Sequence, residues 1–314
     1  MKKIVLSAIL AASTMFAAQN TLISVLNNVS IPDVNKTINN AKVLQKDINA
    51  KNFTKLLESW KRVEALYFAG DINEDYIDTP RYIDVFHNLK ENLNVQMQRA
   101  IDSKDAPRVA LFKNSFRTIN ALEYVLFNDD VVTPREKLLA VEILNSMISN
   151  LEDIKEIYEA YIKSPDQSEK WENAMIINTL IASSYRLKEW RIGDASGYST
   201  KYKNDPKNKR AEYFLSKNSF NAIKAILEAH NEVMGDQKYY NFASMSKEAG
   251  ATSQTKEAQD AIAKTFEEIS KLKNDDFSNG KALFTSAKAI HNAYYLSLVE
   301  ELSVTAKILD ADGD

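Results

Sequence analysis

The chain has 314 residues, 45% of them hydrophobic and 26% charged, with Lys+Arg 40 against Asp+Glu 43 and a formal net charge of -3. This suits a globular protein of up to two ordinary domains and gives none of the basic excess that nucleic acid or an anionic membrane would select. Cysteine is absent, which excludes disulfides, thiolate nucleophiles, thiolate metal sites and a lipid-bearing cysteine together.

The chain opens "MKKIVLSAILAASTMFAAQN". Lys2 and Lys3 precede the apolar run 4–12, and the small residues Ala17 and Ala18 follow. This is the pattern of a secretory signal peptide (1–18), cleaved near Ala18, and it places the mature protein in the periplasm. No other apolar run approaches the roughly 18 residues of a spanning helix, so no transmembrane segment is expected in the mature chain.

Gly 7 and Pro 6 are few, which favours long helices over many short strands. Helical spacing of apolar residues predicts helices near 35–48, 51–69, 80–102, 107–128, 134–163, 167–191, 209–234, 255–273 and 281–309. Thr79-Pro80, Thr133-Pro134 with Glu136, and Ser164-Pro165 with Gln167 read as helix starts. Two stretches interrupt the pattern, 191–209 and 235–256, and the second carries Tyr239, Tyr240 and Phe242, candidates to line a cleft. "KNSF" occurs at both 113–116 and 217–220, with apolar residues matching beyond it. The expected fold is all-α: two antiparallel up-and-down helical bundles related by duplication, spanning 19–164 and 165–314.

On a continuous helix over 107–128, Phe112, Phe116, Ile119, Glu123 and Leu126 share one stripe, with Asn120 at its edge. A carboxylate in an apolar stripe needs a partner. Glu123 is therefore either satisfied by an Arg or Tyr across a helix contact, or it is a ligand or an acid/base group, and Asn120 at i−3 can converge with it. His87 follows Asp84 by three residues, a pair that can bind metal but more often bridges locally, whereas His230 and His291 sit in apolar helices and read as packed. The acidic end 310–314, "DADGD", lacks the remainder of a calcium loop.

Several strings in order, "SWKRVEALYFAGD", "DTPRYIDVFH", "INALEYVLF", "EWRIGDASGY" and "KILDADGD", resemble the imelysin family of periplasmic two-domain helical proteins, first described as insulin-cleaving metallopeptidases. The family hallmark GxHxxE falls on residues 118–123. The glutamate is kept as Glu123, while Thr118 replaces the glycine and Asn120 the histidine. The resemblance implies a site between the domains near Glu123 and Asp71, with His87 as a stand-in for the missing histidine. It also implies a divalent metal, iron or zinc, and partners among iron-uptake or other envelope proteins. An amide oxygen is a weak ligand for either metal and cannot serve as a general base near neutrality, so a binding role is expected ahead of a metallopeptidase or a non-catalytic envelope interaction module.

Overall fold

Caps and apolar spacing fix where the long helices run in the computed structural model, which describes residues 20–89 and 91–307; the signal-peptide expectation lies outside them. The Asn20 side chain accepts the Ile23 amide at 2.8 Å and starts α1 (Thr21–Val25), which passes through a π-helical turn (Leu26–Ser30) into α2 (Ile31–Lys46). Asn49 caps α3 (Ala50–Ala65), whose Phe53, Leu56, Leu57 and Trp60 repeat at i, i+3, i+4, i+7 and are fully buried. Short helices follow: α4 (Ala69–Ile72), α5 (Thr79–Ile83), α6 (Leu93–Asp102), α7 (Pro107–Ala110) and α8 (Ile119–Phe127). The long α9 (Pro134–Lys163) begins with a reciprocal capping box. The Glu136 amide donates to the Thr133 hydroxyl at 3.2 Å, and the Thr133 amide donates to the Glu136 carboxylate at 2.7 Å.

Beyond Ser164, the C-cap of α9, lie α10 (Glu169–Arg186), a π-helical segment (Leu187–Gly193), α11 (Asp194–Ser196), α12 (Ser219–Met234) and α13 (Phe242–Glu248). They are followed by α14 (Thr252–Ser270), α15 (Lys281–Asn292), a second π-helical stretch (Ala293–Leu298) and α16 (Val299–Glu301). Among the described residues there is no strand, so the fold is all-α. No helix there is long and apolar enough to cross a membrane.

In the first half α2 packs on α3 and α9, and α8 lies on α9; in the second, α14 packs on α15 and α12. The halves meet where α12 lies along α3, and α1 reaches across to α10 and α13.

Several predicted helices are broken, each for a local reason. The expected run 80–102 stops after Ile83, because Asp84 turns extended and His87 takes a left-handed φ of 65°. The run 107–128 divides into α7, a 3-10 turn (Asn114–Arg117) and α8. Thr118 causes the last break, leaving the helical region to cap α8 with its hydroxyl. Phe112 therefore leaves the expected stripe and stands 68% exposed, while Glu123 is buried. The two "KNSF" strings accordingly differ in backbone. The first forms the 3-10 turn ahead of α8, whereas the second opens α12 directly from Ser219. That helix starts later than 209, because Tyr213 and Lys217 have φ of 59° and 55°. Helix α10 starts after Ser168, whose hydroxyl accepts the Trp171 amide, and not at Ser164. The interruption expected from 191 begins instead with the π-helical segment. The helical run then ends at Gly197, whose φ of 76° is left-handed and where a Cβ would stand 2.7 Å from the Pro206 nitrogen.

Candidate functional site

Helix α3 carries its apolar stripe past Trp60 to Lys61 and Glu64, so two ionisable side chains enter the seam from an apolar face. Lys61 is fully buried. Its ammonium donates to Glu64 Oε2 at 2.7 Å, to Asp84 Oδ2 at 2.7 Å and, more closely still, to Glu212 Oε1. Arg191 closes the cluster from the second half. Its Nη2 reaches both Glu64 oxygens at 2.8 Å, and its Nε donates to Glu212 Oε2 at 2.9 Å. The π-helical segment puts Trp190 and Arg191 here, since a π turn adds a residue to the repeat and shifts the side chains that follow.

Asp84 is held from several directions: Trp60 Nε1 at 3.1 Å and Tyr213 OH at 2.9 Å reach Oδ2, and the Phe86 amide reaches Oδ1 at 3.0 Å. Burial alone would raise its pKa, but Lys61, the Phe86 amide and Arg191 hold it well below the usual carboxylate range. Glu64 behaves alike: burial pushes it up, and Arg191 and Lys61 bring it below its ordinary value. Burial pushes Glu212 up to about 7 against the pull of Arg191 and Lys61. The Lys61 ammonium loses by burial and gains more from Asp84, Glu212 and Glu64, so its pKa rises.

Glu123 stands at the margin of this cluster. Its Oε1 accepts the Ser216 amide at 2.9 Å and the Ser216 hydroxyl at 2.7 Å, so its partner is a serine and neither an Arg nor a Tyr. Burial drives the carboxyl up to about 7; the Ser216 bonds oppose this, and the charges of Glu212 and Asp84 add to it. Asn120, one turn earlier, accepts the Val85 amide on Oδ1 at 2.7 Å. The segment 84–87 thus ties Asn120 to the cluster through Val85 and Asp84.

His87 does not share a helix face with Asp84. Its Nε2 lies 2.7 Å from Asp194 Oδ2, and its ring stacks on Trp190 at 4.6 Å between centroids and 5° between planes. Asp71, on α4, pairs with Lys307 Nζ at 2.5 Å near the surface and shares no partner with Glu123. The structure therefore gathers Glu123, Asn120 and His87 around the charge cluster and gives Asp71 a separate place. The four residues do not fit a shared metal ion: each side chain is committed to a different protein group, and the Asn120 amide oxygen is taken by a backbone N–H. Among the described residues, no group of three or more His, Asp or Glu is arranged to hold one.

Lys61, Glu64, Arg191 and Glu212 escaped the sequence reading. For Lys61 and Glu64 a signal was present, since they lie four and seven residues beyond Leu57 and so extend the buried stripe. Arg191 carried none, because its position depends on the π register. The other two histidines are packed. His230 lies between Ser183 Oγ at 2.9 Å and Tyr294 OH at 3.1 Å, with burial pushing it down to about 3, and His291 lies 3.2 Å from Ser184 Oγ. Tyr239 and Tyr240 line an open cleft of about 600 Å³ with Asn20, Ser24 and Glu248, while Phe242 is buried in the core.

The family model described as imelysin, Peptidase M75, matches residues 34–305. Among solved structures, the chain is similar to an imelysin-like protein from Psychrobacter arcticum 273-4, with a TM-score of 0.73 at 17% identity, covering 91% of this chain and 96% of that one. It is also similar to a protein from Parabacteroides distasonis ATCC 8503 described as an iron-regulated protein A precursor, with a TM-score of 0.65 at 12% identity, covering 90% and 94%. No curated protein matches.

Proposed function

The chain belongs to the imelysin family, and from that premise we propose that it is an exported, periplasmic binding protein that holds a ligand at the seam between its halves and serves iron acquisition. The units are taken as 19–164 and 165–314, joined at Ser164. One observation carries the choice of binding over hydrolysis: where the family motif has histidine, Asn120 has its amide oxygen committed to the Val85 amide. The motif glutamate is likewise engaged, by Ser216. A hydrolytic site needs a group free to polarise the scissile bond and a base free to take a proton. Here the first is absent from the motif, and the second is bonded on one oxygen and buried. The iron connection is supported by the iron-regulated precursor that shares the fold, and export by the basic and apolar start of the sequence.

The purified chain from residue 19 onward tests the reading. Titration with iron chelates is expected to show micromolar binding that Glu123→Ala weakens, with free Fe²⁺, Fe³⁺ and Zn²⁺ as the comparison. The same sample is expected to leave a broad peptide library intact with metal supplied. Chelator-sensitive cleavage lost in Glu123→Ala would instead establish the metallopeptidase, and no binding at millimolar concentration removes the iron role.

A further inference from the structure

We infer that Arg186 receives the carboxylate group of a small-molecule ligand bound at the seam between the halves. The inference rests on the reading given above for the ligand's place and adds the chemical group that anchors it. Arg186 belongs to neither the family motif nor the Lys61 cluster.

Arg186 closes the last turn of α10, and the π-helical segment begins at the next residue. A π turn brings residues about five apart onto one face, so Arg186 and Arg191 enter the seam from the same side of the helix. Their situations differ. Arg191 holds Glu64 and Glu212, as Arg62 on α3 holds Asp33 at 2.8 Å. Arg186 is half-buried, yet among the described residues it makes no hydrogen bond and no ion pair. Arg99 and Arg108 also lack such a bond there, but both stand exposed on the surface.

The carboxylate whose charge reaches Arg186 is already taken. Glu64 gives both oxygens to Arg191 at 2.8 Å, and its Oε2 also accepts from Lys61 at 2.7 Å. Nor does a free helix end supply partial negative charge, because α10 runs on into the π-helical segment without a break. Burial pulls the Arg186 pKa down from the ordinary arginine value; Glu64 opposes this and Arg191 adds to it. At Arg191 and Arg62 the contacting carboxylates outweigh burial, and both values rise. Arg186 is thus a recessed cation without a protein partner, an arrangement that costs the fold and gives it no contact in return. None of its nitrogens is sealed from solvent, so a ligand can reach them. A guanidinium presents parallel N–H donors in a planar fork, which matches the two oxygens of a carboxylate. The charge of Glu64 disfavours a compact dianion such as phosphate at the same place.

The purified chain from residue 19 onward is titrated by calorimetry with acetate, benzoate and citrate, with benzamide as the neutral isostere of benzoate, and with inorganic phosphate. At least one carboxylate is expected to bind with a dissociation constant on the order of 1 mM or tighter and to raise the melting temperature, while benzamide and phosphate do neither. Arg186→Met is expected to weaken that carboxylate at least about tenfold, and Arg186→Lys, which keeps the charge and loses the fork, by less. Without ligand, Arg186→Met is expected to melt no lower than the wild type, because it removes a cation that no protein group holds. The proposal is overturned if no carboxylate binds, if phosphate binds more tightly than all of them, if Arg186→Met binds as the wild type does, or if unliganded Arg186→Met melts several degrees lower, the mark of a structural arginine. Ferric citrate separates this proposal from the iron reading. Equal binding of it to the wild type and Arg186→Met leaves that reading standing and ends this one. Carboxylate binding that Arg186→Met loses, with no iron chelate bound, does the reverse.

Discussion

Asp84 and Glu123 are both buried carboxylates of the first half that touch residues of the second, yet burial leads them to opposite states. Asp84 receives an ammonium, an indole N–H, a phenol and a backbone amide, and it stays ionised far below the usual range. Glu123 receives both of its bonds from one neutral residue, Ser216, while Glu212 and Asp84 act on it as like charges, and it titrates near 7. Depth alone does not set the charge of an acid at this seam: at Asp84 the cations and hydrogen bonds outweigh burial, whereas at Glu212 burial and the neighbouring carboxylates outweigh Lys61 and Arg191. Asp84 is thereby a fastening between the halves, and Glu123 a group that can gain or lose a proton near neutrality.

The contrast breaks most severely when the fastening is cut. Asp84→Ala leaves the Lys61 ammonium short of one of its three carboxylates in a dry site, and a loss of about 3–5 kcal/mol is expected in urea unfolding. Stability equal to the wild type would mean that the cation does not distinguish the two acids.

A smaller effect, with a definite sign, is expected from Glu123→Gln. The folded value near 7 lies above the ordinary 4.5. Below 4.5 the group is protonated in both folded and unfolded chains, and its effect on stability is constant. As pH rises from 4.5 through 7 the unfolded chain ionises first, so the wild type loses stability that Gln keeps. Glu123→Gln should therefore track the wild type near pH 4 and exceed it above pH 7 by up to about 3 kcal/mol. Asp84, displaced in the opposite direction, contributes stability that is present above its unfolded value of 3.8 and disappears as pH falls below it. Melting curves across pH for the two proteins read both limbs, and parallel curves would erase the contrast.

The smallest change sharpens it. Ser216→Ala deletes the hydroxyl bond to Glu123 and keeps the amide bond, which should cost about 1 kcal/mol above neutral pH. The Glu123 pKa should move further up, observable in the carboxyl signal during an NMR titration, whereas a downward move would contradict the assigned role of Ser216.

Much of the fold was legible because its signals are local. The stripe of α3, the capping box at Thr133 and Glu136, and the scarcity of glycine and proline all point to helices, and helices are present. The breaks were less legible. Thr118 reads as an ordinary residue inside an apolar run until its hydroxyl is seen capping α8, and nothing in the identities of Tyr213 or Lys217 announces a positive φ. At the candidate site, Glu123 and Asn120 were visible through the family pattern and Glu123's burial through its spacing. Their partners were not, since Ser216 and Val85 lie 93 and 35 residues away in sequence. The Lys61 cluster joins positions separated by up to 151 residues, a convergence that only the packing of the two halves creates.

The π-helical segment 187–193 also sets a limit on how this chain can change length. An α-helix advances about 100° per residue. Adding one residue between Leu187 and Trp190, where the π turn already holds one more than an even α repeat, would rotate Trp190, Arg191 and Asp194 by roughly that angle about the axis of α10. His87 would lose both its stacking partner and its carboxylate, and Glu64 and Glu212 would lose Arg191. The exposed stretch 200–205 can gain or lose residues without touching any of these contacts. In a gene library of single-codon insertions, tolerance should therefore rise sharply between 187–190 and 200–205.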